Sequence, residues 1–120
     1  MKWHALKNLN QSDLNEISAD VLIPPESPWF RGHFPAEPIL PGVAQLGMVY
    51  DAINHVCKQK LKISGIRRVR FKHIIRPNDQ IKIVAAPLKK EKGSYSFRIM
   101  LQEEPVCSGI MTVENQTEPE

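Results

Sequence analysis

The chain has 120 residues, 42% of them hydrophobic and 24% charged, with a net charge of +3. This length and composition fit one globular domain and exclude a disordered chain, while so small a charge gives no argument for nucleic acid. No apolar run approaches the ~20 residues of a membrane span, and residues 1–20 contain no apolar core of the kind found in secretory signals, so neither feature is expected. Two cysteines are too few for a disulfide framework, and a reduced, cytoplasmic setting is therefore predicted.

The first predicted elements are a short strand, Ala19 to Ile23, and a proline-rich loop. Six of the ten prolines lie between residues 24 and 41. Proline fixes φ and lacks an N–H donor, so this stretch is neither a helix nor a central strand. Because long loops in compact domains are commonly functional, the loop is the first place to look for a site.

A long helix is predicted from Pro41 to Lys60, with Ser64-Gly65 ending the segment. Pro41 suits the first helical position, where its missing N–H costs nothing. Apolar residues recur along the helix at three- and four-residue steps: Val43, Leu46, Tyr50, Ile53 and Cys57.

The rest of the chain is predicted to form antiparallel strands. Apolar residues alternate with polar ones, and turns at Pro77-Asn78-Asp79 and Lys89 to Gly93 separate the runs. The order of elements indicates an α+β domain over residues 1–113, in which the helix covers one face of the sheet, followed by a frayed acidic tail at 114–120. The predicted strands are Val69–His73, Ile81–Ala85, Tyr95–Leu101 and Val106–Val113, with His73 on the apolar side of its strand.

A candidate site lies where the proline loop meets the helix. His33 stands in the loop, and Gly42 opens the helix nine residues later. Free N–H groups at a helix start carry partial positive charge, and glycine lets a ligand atom approach the backbone. A carbonyl bound there would be polarised, and His33 could then remove a proton from the adjacent carbon. Either residue alone is more often structural, so it is the pair that favours chemistry next to a thioester carbonyl.

These residues carry a family resemblance. Gly32-His33-Phe34-Pro35-x-x-Pro38-x-x-Pro41-Gly42-Val43 resembles the signature of the FabA/FabZ-type 3-hydroxyacyl-[acyl-carrier-protein] dehydratases. Ile63 to Phe71 is similar to the family's strand after the helix, and Arg76 to Ile81 is similar to its Arg-Pro turn, with Asn78 at the usual glycine. Ile39 to Leu46 looks closest to the dehydratase-like proteins of aryl-polyene gene clusters.

The resemblance implies a hotdog fold, in which an antiparallel sheet wraps one long central helix. It also implies a homodimer or higher hotdog oligomer with sites at the interface, a substrate carried on acyl carrier protein or coenzyme A, and no metal or cofactor. His33 would be the catalytic base, and a cis Pro35 would follow it. The implied substrate-binding residues are Phe34, Pro41, Gly42, Val43 and Gly47, with the Gly42 N–H holding the thioester carbonyl.

One departure from the family pattern concerns the acid. The family has a Glu or Asp fourteen residues after the histidine, and this chain has Gly47 there. Losing a positioned acid costs about 10²–10⁴-fold in rate. Asp51 lies one turn further along the same helix face, although a polar group at the helix edge is its favoured interpretation. Glu37 is expected to be a solvated loop carboxylate, and Tyr50 is expected to be core.

Three functional hypotheses follow from this pattern. The first is a dehydratase-like enzyme acting on acyl thioesters, with its acid missing or supplied unusually, and the retained His33 and proline loop favour it. The second is a non-catalytic acyl-thioester-binding subunit, or a heterodimer partner that contributes His33 while an active paralogue contributes the acid. The third is a hotdog thioesterase, which Gly47 also disfavours because such enzymes usually need a carboxylate or an activated water.

The remaining chemistry-bearing residues carry weaker predictions. A basic strip, defined here as Lys62, Arg67, Arg68, Arg70, Lys72 and Arg76, contains no acid in sequence and fits docking of an acidic carrier protein as well as it fits a solvated strand face. His55 and Cys57 lie two apart on the helix and make poor joint metal ligands. Cys107 is expected to be buried.

Overall fold

A computed structural model describes residues 4–30 and 39–116 of the chain. Within these residues, one helix packs on one antiparallel sheet of six strands. Helix α1 covers Gly42–Cys57, and a single 3₁₀ turn covers Pro28–Phe30. The strands are β1 Ala5–Gln11, β2 Ile17–Leu22, β3 Leu61–Phe71, β4 Ile81–Pro87, β5 Ser94–Leu101 and β6 Glu104–Asn115.

The sheet order places β1 and β3 at the two edges. The strands follow one another as β1-β2-β4-β5-β6-β3, and every neighbouring pair is antiparallel. Helix α1 packs mainly across β1, β2 and β4, contacts β3 less, and contacts β5 and β6 least. The half of the sheet formed by β5, β6 and β3 is therefore less covered by the helix than the half formed by β1, β2 and β4.

The core forms between the apolar stripe of α1 and the sheet. Met48, Val49 and Ile53 on the helix are fully buried, and so are Phe97 and Ile99 on β5. Their spacing is that of an amphipathic helix packed on an alternating strand. This packing fixes the helix, and with it the opposite face that carries Val43 and Gly47.

The strand boundaries differ from the sequence predictions at several places. The first strand, β1, was not predicted, and β2 covers Ile17–Leu22 instead of Ala19 to Ile23. Ser64-Gly65 lies inside β3, where the pairing register with β6 shifts between Ile63 and Gly65. A glycine in a strand often marks such a bulge, so this dipeptide bends an edge strand and does not end the helical segment.

The ends of the helix and of the last strand also shift. Pro41 is the N-cap residue, and the helix ends at Cys57 because Lys58 adopts the left-handed region with φ of 54°. Strand β6 extends to Asn115, and Lys62 pairs with Glu114 across it. Among the described residues, no helix is long and apolar enough to span a membrane.

Candidate active site at the start of helix α1

The site is built on the exposed start of α1. Pro41 has φ of −63° and ψ of 153°, and no side chain of the described residues caps the helix. Its carbonyl accepts hydrogen bonds from the backbone N–H groups of Ala44, at 3.1 Å, and Gln45, at 3.2 Å. The N–H groups of Gly42 and Val43 precede these and have no intrahelical acceptor. They form a pair of donors at the positive end of the helix dipole.

The residues just before helix α1 are hydrogen-bonded to the segment that follows β3. The N–H of Leu40 donates to the carbonyl oxygen of Ile75 at 2.8 Å, and both side chains are buried. The Arg-Pro turn behind Ile75 is closed by Asp79, whose carboxylate accepts from the N–H of Arg76 at 2.8 Å. Asn78 occupies the left-handed region there, with φ of 69°, which asparagine tolerates better than most residues. This motif therefore positions the helix start.

Gly42 contacts an aromatic ring. A β-carbon built at Gly42 would lie 2.8 Å from Cζ of Phe71, which is closer than real β-carbons approach other atoms. Phe71 is the last residue of β3, and its side chain is 51% exposed. From the sequence, this glycine is predicted to let a ligand approach the backbone. The ring of Phe71 is a second reason for glycine here, since any side chain at this position would displace the ring.

The position of Gly47 is uncrowded within the described part of the chain. Apart from the helix backbone and the adjacent residues, a β-carbon built there would meet no described atom within 4 Å, at the position where the family carries its carboxylate. Met48 and Val49, the two residues that follow it, are buried in the core instead. The position has room for a side chain, a ligand group or a water molecule.

Asp51 is engaged by two histidines. Its Oδ2 lies 2.9 Å from Nε2 of His4, and its Oδ1 lies 3.9 Å from Nδ1 of His55. His55 Nδ1 also lies 2.8 Å from the main-chain oxygen of Asp51. His4 precedes β1 and is 47 residues away in sequence, so no local spacing could have indicated this pairing. His4 was therefore not predicted from the sequence.

Several predicted site residues lie outside the described residues. These are the catalytic candidate His33, the substrate-binding candidate Phe34, the loop carboxylate Glu37 and the cis bond at Pro35. The described residues bring Pro41, Gly42, Val43 and Gly47 together on the first two turns of α1. Tyr50 is half-buried and donates its hydroxyl hydrogen to the carbonyl oxygen of Leu61 at 2.6 Å. That bond ties the helix to β3.

The basic strip is partly neutralised within the chain. Arg67 pairs with Glu91 at 2.6 Å, and Lys62 pairs with Glu114 at 3.1 Å. The hydrogen bond from Arg67 lowers the pKa of the Glu91 carboxyl. The remaining members of the strip form no ion pair with the described carboxylates: Arg68, Arg70, Lys72 and Arg76. They are the part of the strip available to an acidic partner.

The other titratable residues fall into two groups. His73 is exposed and lies beyond the end of β3, so the prediction that it packs on the apolar side of a strand was wrong. Cys107 is fully buried as predicted, and burial raises the pKa of its thiol to about 11. Burial and the nearby thiol of Cys57 raise the pKa of Tyr95 to about 12. Among the described residues, no three His, Cys, Asp or Glu side chains are placed to hold a metal ion.

Sequence comparison relates the chain to dehydratases. The family model of the ApeI-like proteins, described as ApeI dehydratase, matches residues 9–110. A 3-hydroxyacyl-[acyl-carrier-protein] dehydratase FabZ of Shewanella woodyi is 29% identical over 116 residues, which cover 88% of this chain and 67% of the relative. The FabZ of Caldicellulosiruptor bescii is 36% identical over 91 residues, which cover 68% and 65%. The chain spans about two thirds of the length of these curated relatives.

Comparison with solved structures also relates the chain to a dehydratase. A chain of the dehydratase heterocomplex ApeI:P from Xenorhabdus doucetiae is similar with a TM-score of 0.81 at 27% identity, covering 94% of this chain and 98% of that one. An uncharacterised protein from Erwinia carotovora is similar with a TM-score of 0.71 at 25% identity, covering 92% and 93%. One helix on a six-stranded antiparallel sheet, together with these neighbours, confirms the predicted α+β hotdog fold.

Proposed function

The chain belongs to the ApeI-like dehydratase family, and on that basis we propose that it removes water from 3-hydroxyacyl thioesters carried by acyl carrier protein. The observation that carries the proposal is the start of α1. There, the N–H groups of Gly42 and Val43 have no acceptor among the described residues, and His33 precedes Gly42 by nine residues in sequence. Two amide donors together with a histidine base suit proton removal next to a carbonyl.

The proposed reaction uses these groups in one order. The thioester carbonyl accepts hydrogen bonds from the N–H of Gly42 and of Val43. His33 takes the proton from C2, and the negative charge that develops on the carbonyl oxygen is stabilised by the two amides. The C2=C3 double bond forms as the C3–O bond breaks, and the hydroxyl group leaves as water after taking a proton. One such amide donor is typically worth about 2.7–4 kcal/mol of transition-state stabilisation.

The proposed carrier is acyl carrier protein. Arg68, Arg70, Lys72 and Arg76 form no ion pair within the described chain and lie on β3 or just after it. Phe71, in the middle of this set, contacts Gly42 at the helix start. A docked acidic protein would thus sit beside the site into which its acyl arm must reach.

The proposed assembly is a dimer through β3. This edge strand presents unpaired backbone groups and the exposed apolar side chains of Ile63, Ile66 and Phe71. Exposed edges of this kind pair readily with another strand. A second copy would also cover the part of the sheet that α1 leaves open.

The test of this function is the ultraviolet absorbance of an enoyl thioester on acyl carrier protein. Hydration removes the conjugated double bond, so the absorbance falls if the chain catalyses the reverse reaction. We expect the fall with the wild type and with His55→Ala, an exposed histidine in the last turn of α1, but not with His33→Ala. An unchanged absorbance with the wild type over several chain lengths would refute the proposal.

A second candidate function follows from Gly47. An empty position where the family has its carboxylate is what a partner subunit without its own acid would show. The similar Xenorhabdus doucetiae structure is named as a dehydratase heterocomplex. In this alternative, the chain supplies His33 and a second hotdog chain supplies the acid. Activity that appears only after mixing with an acid-bearing hotdog chain would favour it.

A further inference from the structure

Helix α1 and the edge strand β3 are in contact at two places and separate between them. The ring of Phe71, the last residue of β3, contacts Gly42 at the start of the helix. At the first residue of β3, the carbonyl oxygen of Leu61 accepts the hydroxyl hydrogen of Tyr50 at 2.6 Å. The N–H of Leu61 also donates to Oδ1 of Asn54 at 3.1 Å. The helix and the strand therefore run in opposite directions, and one aromatic side chain spans the gap at each contact.

One side of α1 is directed toward β3. Val43, Gly47, Tyr50 and Asn54 follow one another at steps of four, three and four residues, which places them on the same side of a helix. Since Tyr50 and Asn54 both reach Leu61, this side faces β3. A β-carbon built at Gly47 would nevertheless meet no described atom beyond its own helix and neighbours, and Val43 is 69% exposed. In its first two turns, the helix is therefore not covered by the strand.

Strand β3 turns apolar side chains toward the same gap. Directly opposite residues of an antiparallel pair project from the same face of the sheet. Three side chains of β3 have opposite them, on β6, residues that are buried on the helix side of the sheet: Ile63 lies opposite Val113, Ile66 opposite Met111 and Phe71 opposite Cys107. Ile63 and Ile66 themselves stay 39% exposed, because the helix does not reach over them.

The charged side chains of β3 project from the other face. Lys62, Arg67 and Arg70 lie opposite positions that alternate with the buried residues of β6. The space between α1 and β3 is called here the trough, and it is defined by six residues, none of them charged: Val43, Gly47, Tyr50, Ile63, Ile66 and Phe71. An apolar lining of this kind suits a hydrocarbon group.

The trough begins beside the two amide donors of the helix start and ends at Tyr50. Gly42 and Val43 carry the N–H groups proposed above to bind the thioester carbonyl. From Val43 to Tyr50, the helix advances by about 10 Å at about 1.5 Å per residue. An acyl chain whose carbonyl is bound at the helix start would thus bury its methylene groups against this lining instead of leaving them in water.

We propose that Tyr50 sets the longest acyl chain that this site accepts, because its side chain closes the trough in which the chain lies. The inference rests on the proposed dehydratase function and adds the residue that determines its chain-length specificity. The hydrogen bond to Leu61 holds the ring in place, and Asn54 fixes the same residue of β3. Leu61 also lines a cavity of about 620 Å³ with Cys57 and Tyr95, so further space adjoins the contact that Tyr50 makes.

The experiment measures kcat/KM for the hydration of enoyl thioesters on acyl carrier protein, from crotonyl to hexadecenoyl. In the wild type, kcat/KM should rise about fourfold per added methylene and stop rising once the chain reaches Tyr50. Tyr50→Ala should move this break to longer chains and raise kcat/KM beyond the wild-type break by about tenfold or more. Tyr50→Phe keeps the ring and should keep the break. An equal shift in Tyr50→Phe and Tyr50→Ala would overturn the role of the ring.

Tyr95→Ala is the matched control. Tyr95 is the other tyrosine of the chain, it is also half-buried, and its hydroxyl is also hydrogen-bonded, to the thiol of Cys57 at 3.6 Å. Its removal enlarges the cavity while Tyr50 still closes the trough, so the break should stay at the wild-type length. Tyr50→Leu should give an intermediate shift, and it keeps the prediction testable if circular dichroism shows that Tyr50→Ala does not fold.

A binding measurement separates this inference from the function beneath it. Isothermal titration calorimetry with saturated acyl carrier proteins of the same lengths requires no turnover. If no thioester is hydrated but the affinity shows a break that moves in Tyr50→Ala and not in Tyr95→Ala, the inference stands and the dehydratase function fails. If the wild type hydrates thioesters and the break is the same in Tyr50→Ala, Tyr50 does not limit the chain and the function stands.

The other possible occupant of the trough is a second copy of this chain. If neither kcat/KM nor affinity depends on chain length in the wild type, and Ile66→Lys converts a dimer into a monomer, the partner chain fills the trough and the inference is wrong. A break that moves in Tyr50→Ala, and stays in place in Tyr50→Phe and Tyr95→Ala, supports it.

Discussion

At the scale of single residues, Gly42 has two roles, one through its backbone N–H and one through its missing side chain. Its N–H is one of the two donors at the helix start that have no acceptor in the described part of the chain, and the place of its side chain is taken by the ring of Phe71. A substitution therefore acts on β3 packing before it acts on any ligand. The proximity also means that movement of Phe71 would change the surroundings of the proposed carbonyl site.

Replacing Gly42 by alanine should destabilise the fold through this contact. The added methyl group forces the ring of Phe71 to shift, which costs about 1 kcal/mol because the ring is half-exposed and can move. Urea unfolding of Gly42→Ala, Phe71→Ala and the double variant should give a coupling of at least about 0.5 kcal/mol. Gly65→Ala is the control, since its β-carbon would meet only Thr112 Cβ at 3.9 Å. Strict additivity would contradict the contact.

Gly47 permits a prediction of opposite sign. Because nothing lies within 4 Å of an added β-carbon, Gly47→Ala should raise the free energy of unfolding by about 0.5–1 kcal/mol through better helix propensity. Gly47→Glu should in addition raise the rate of enoyl-thioester hydration, since it returns a carboxyl to the family's acid position. If the Gly47→Glu protein is more stable than the wild type but hydrates the enoyl thioester at the same rate, a carboxyl at position 47 does not take part in the reaction.

The buried thiol of Cys107 gives a pH dependence. Burial raises its pKa to about 11 from an ordinary value of 9.0, so the folded state keeps the proton where the unfolded state releases it. Its contribution to stability is complete below pH 9 and is lost as the pH rises from about 9 to about 11, by at most about 1.4 kcal/mol per pH unit. Urea unfolding across this range should show a smaller loss in Cys107→Val. Parallel curves for the two proteins would contradict the assignment.

Residue identities were predictable where chemistry and spacing are local. Gly42 and Gly47 take their places on α1 as the motif indicated. His4 could not be predicted, because its partner lies 47 residues away and only the packing of β1 on the helix brings them together. His73 was misplaced because the alternation of β3 stops at Phe71.

At the scale of elements, the periodic patterns were sufficient for α1 and the β4–β5 hairpin. The turn after Pro87 and the start of β5 at Ser94 agree with the predicted polar turn. Strand β1 was not predicted, because most of its residues are exposed and polar and show no alternation of apolar and polar side chains. The start of β3 was not predicted, because Ser64-Gly65 was interpreted as the end of the helical segment, whereas the structure has a bulge of an edge strand there.

Strand β3 carries the prediction about assembly. Ile66→Lys places a charge on the exposed edge that a second copy would cover, and we expect it to shift the protein toward monomer in analytical ultracentrifugation. Leu22→Lys is the matched control, because Leu22 on β2 is 43% exposed against 39% for Ile66 but lies away from the sheet edge. If both variants keep the wild-type mass, the dimer does not form through β3.

At the scale of the whole molecule, the position of helix α1 on the sheet determines where the parts of the site lie. Helix α1 lies toward the β1 side, where His4 reaches Asp51, while its N-terminus reaches back to Phe71 at the end of β3. One helix thus connects the His4–Asp51 pair, the proposed carbonyl site and the edge strand offered to a partner. This arrangement depends on the long-range order β1-β2-β4-β5-β6-β3, which only the family resemblance could suggest from the sequence.

The central claim is that this chain dehydrates a carrier-bound 3-hydroxyacyl thioester with His33 as base and without a carboxylate at position 47. The most direct measurement is the mass of the phosphopantetheine-bound acyl group after incubation of a 3-hydroxyacyl carrier protein with the purified chain, beside His33→Ala and His55→Ala. The account predicts loss of one water molecule with the wild type and His55→Ala, and an unchanged mass with His33→Ala. An unchanged mass with the wild type, or equal water loss with His33→Ala, would contradict it.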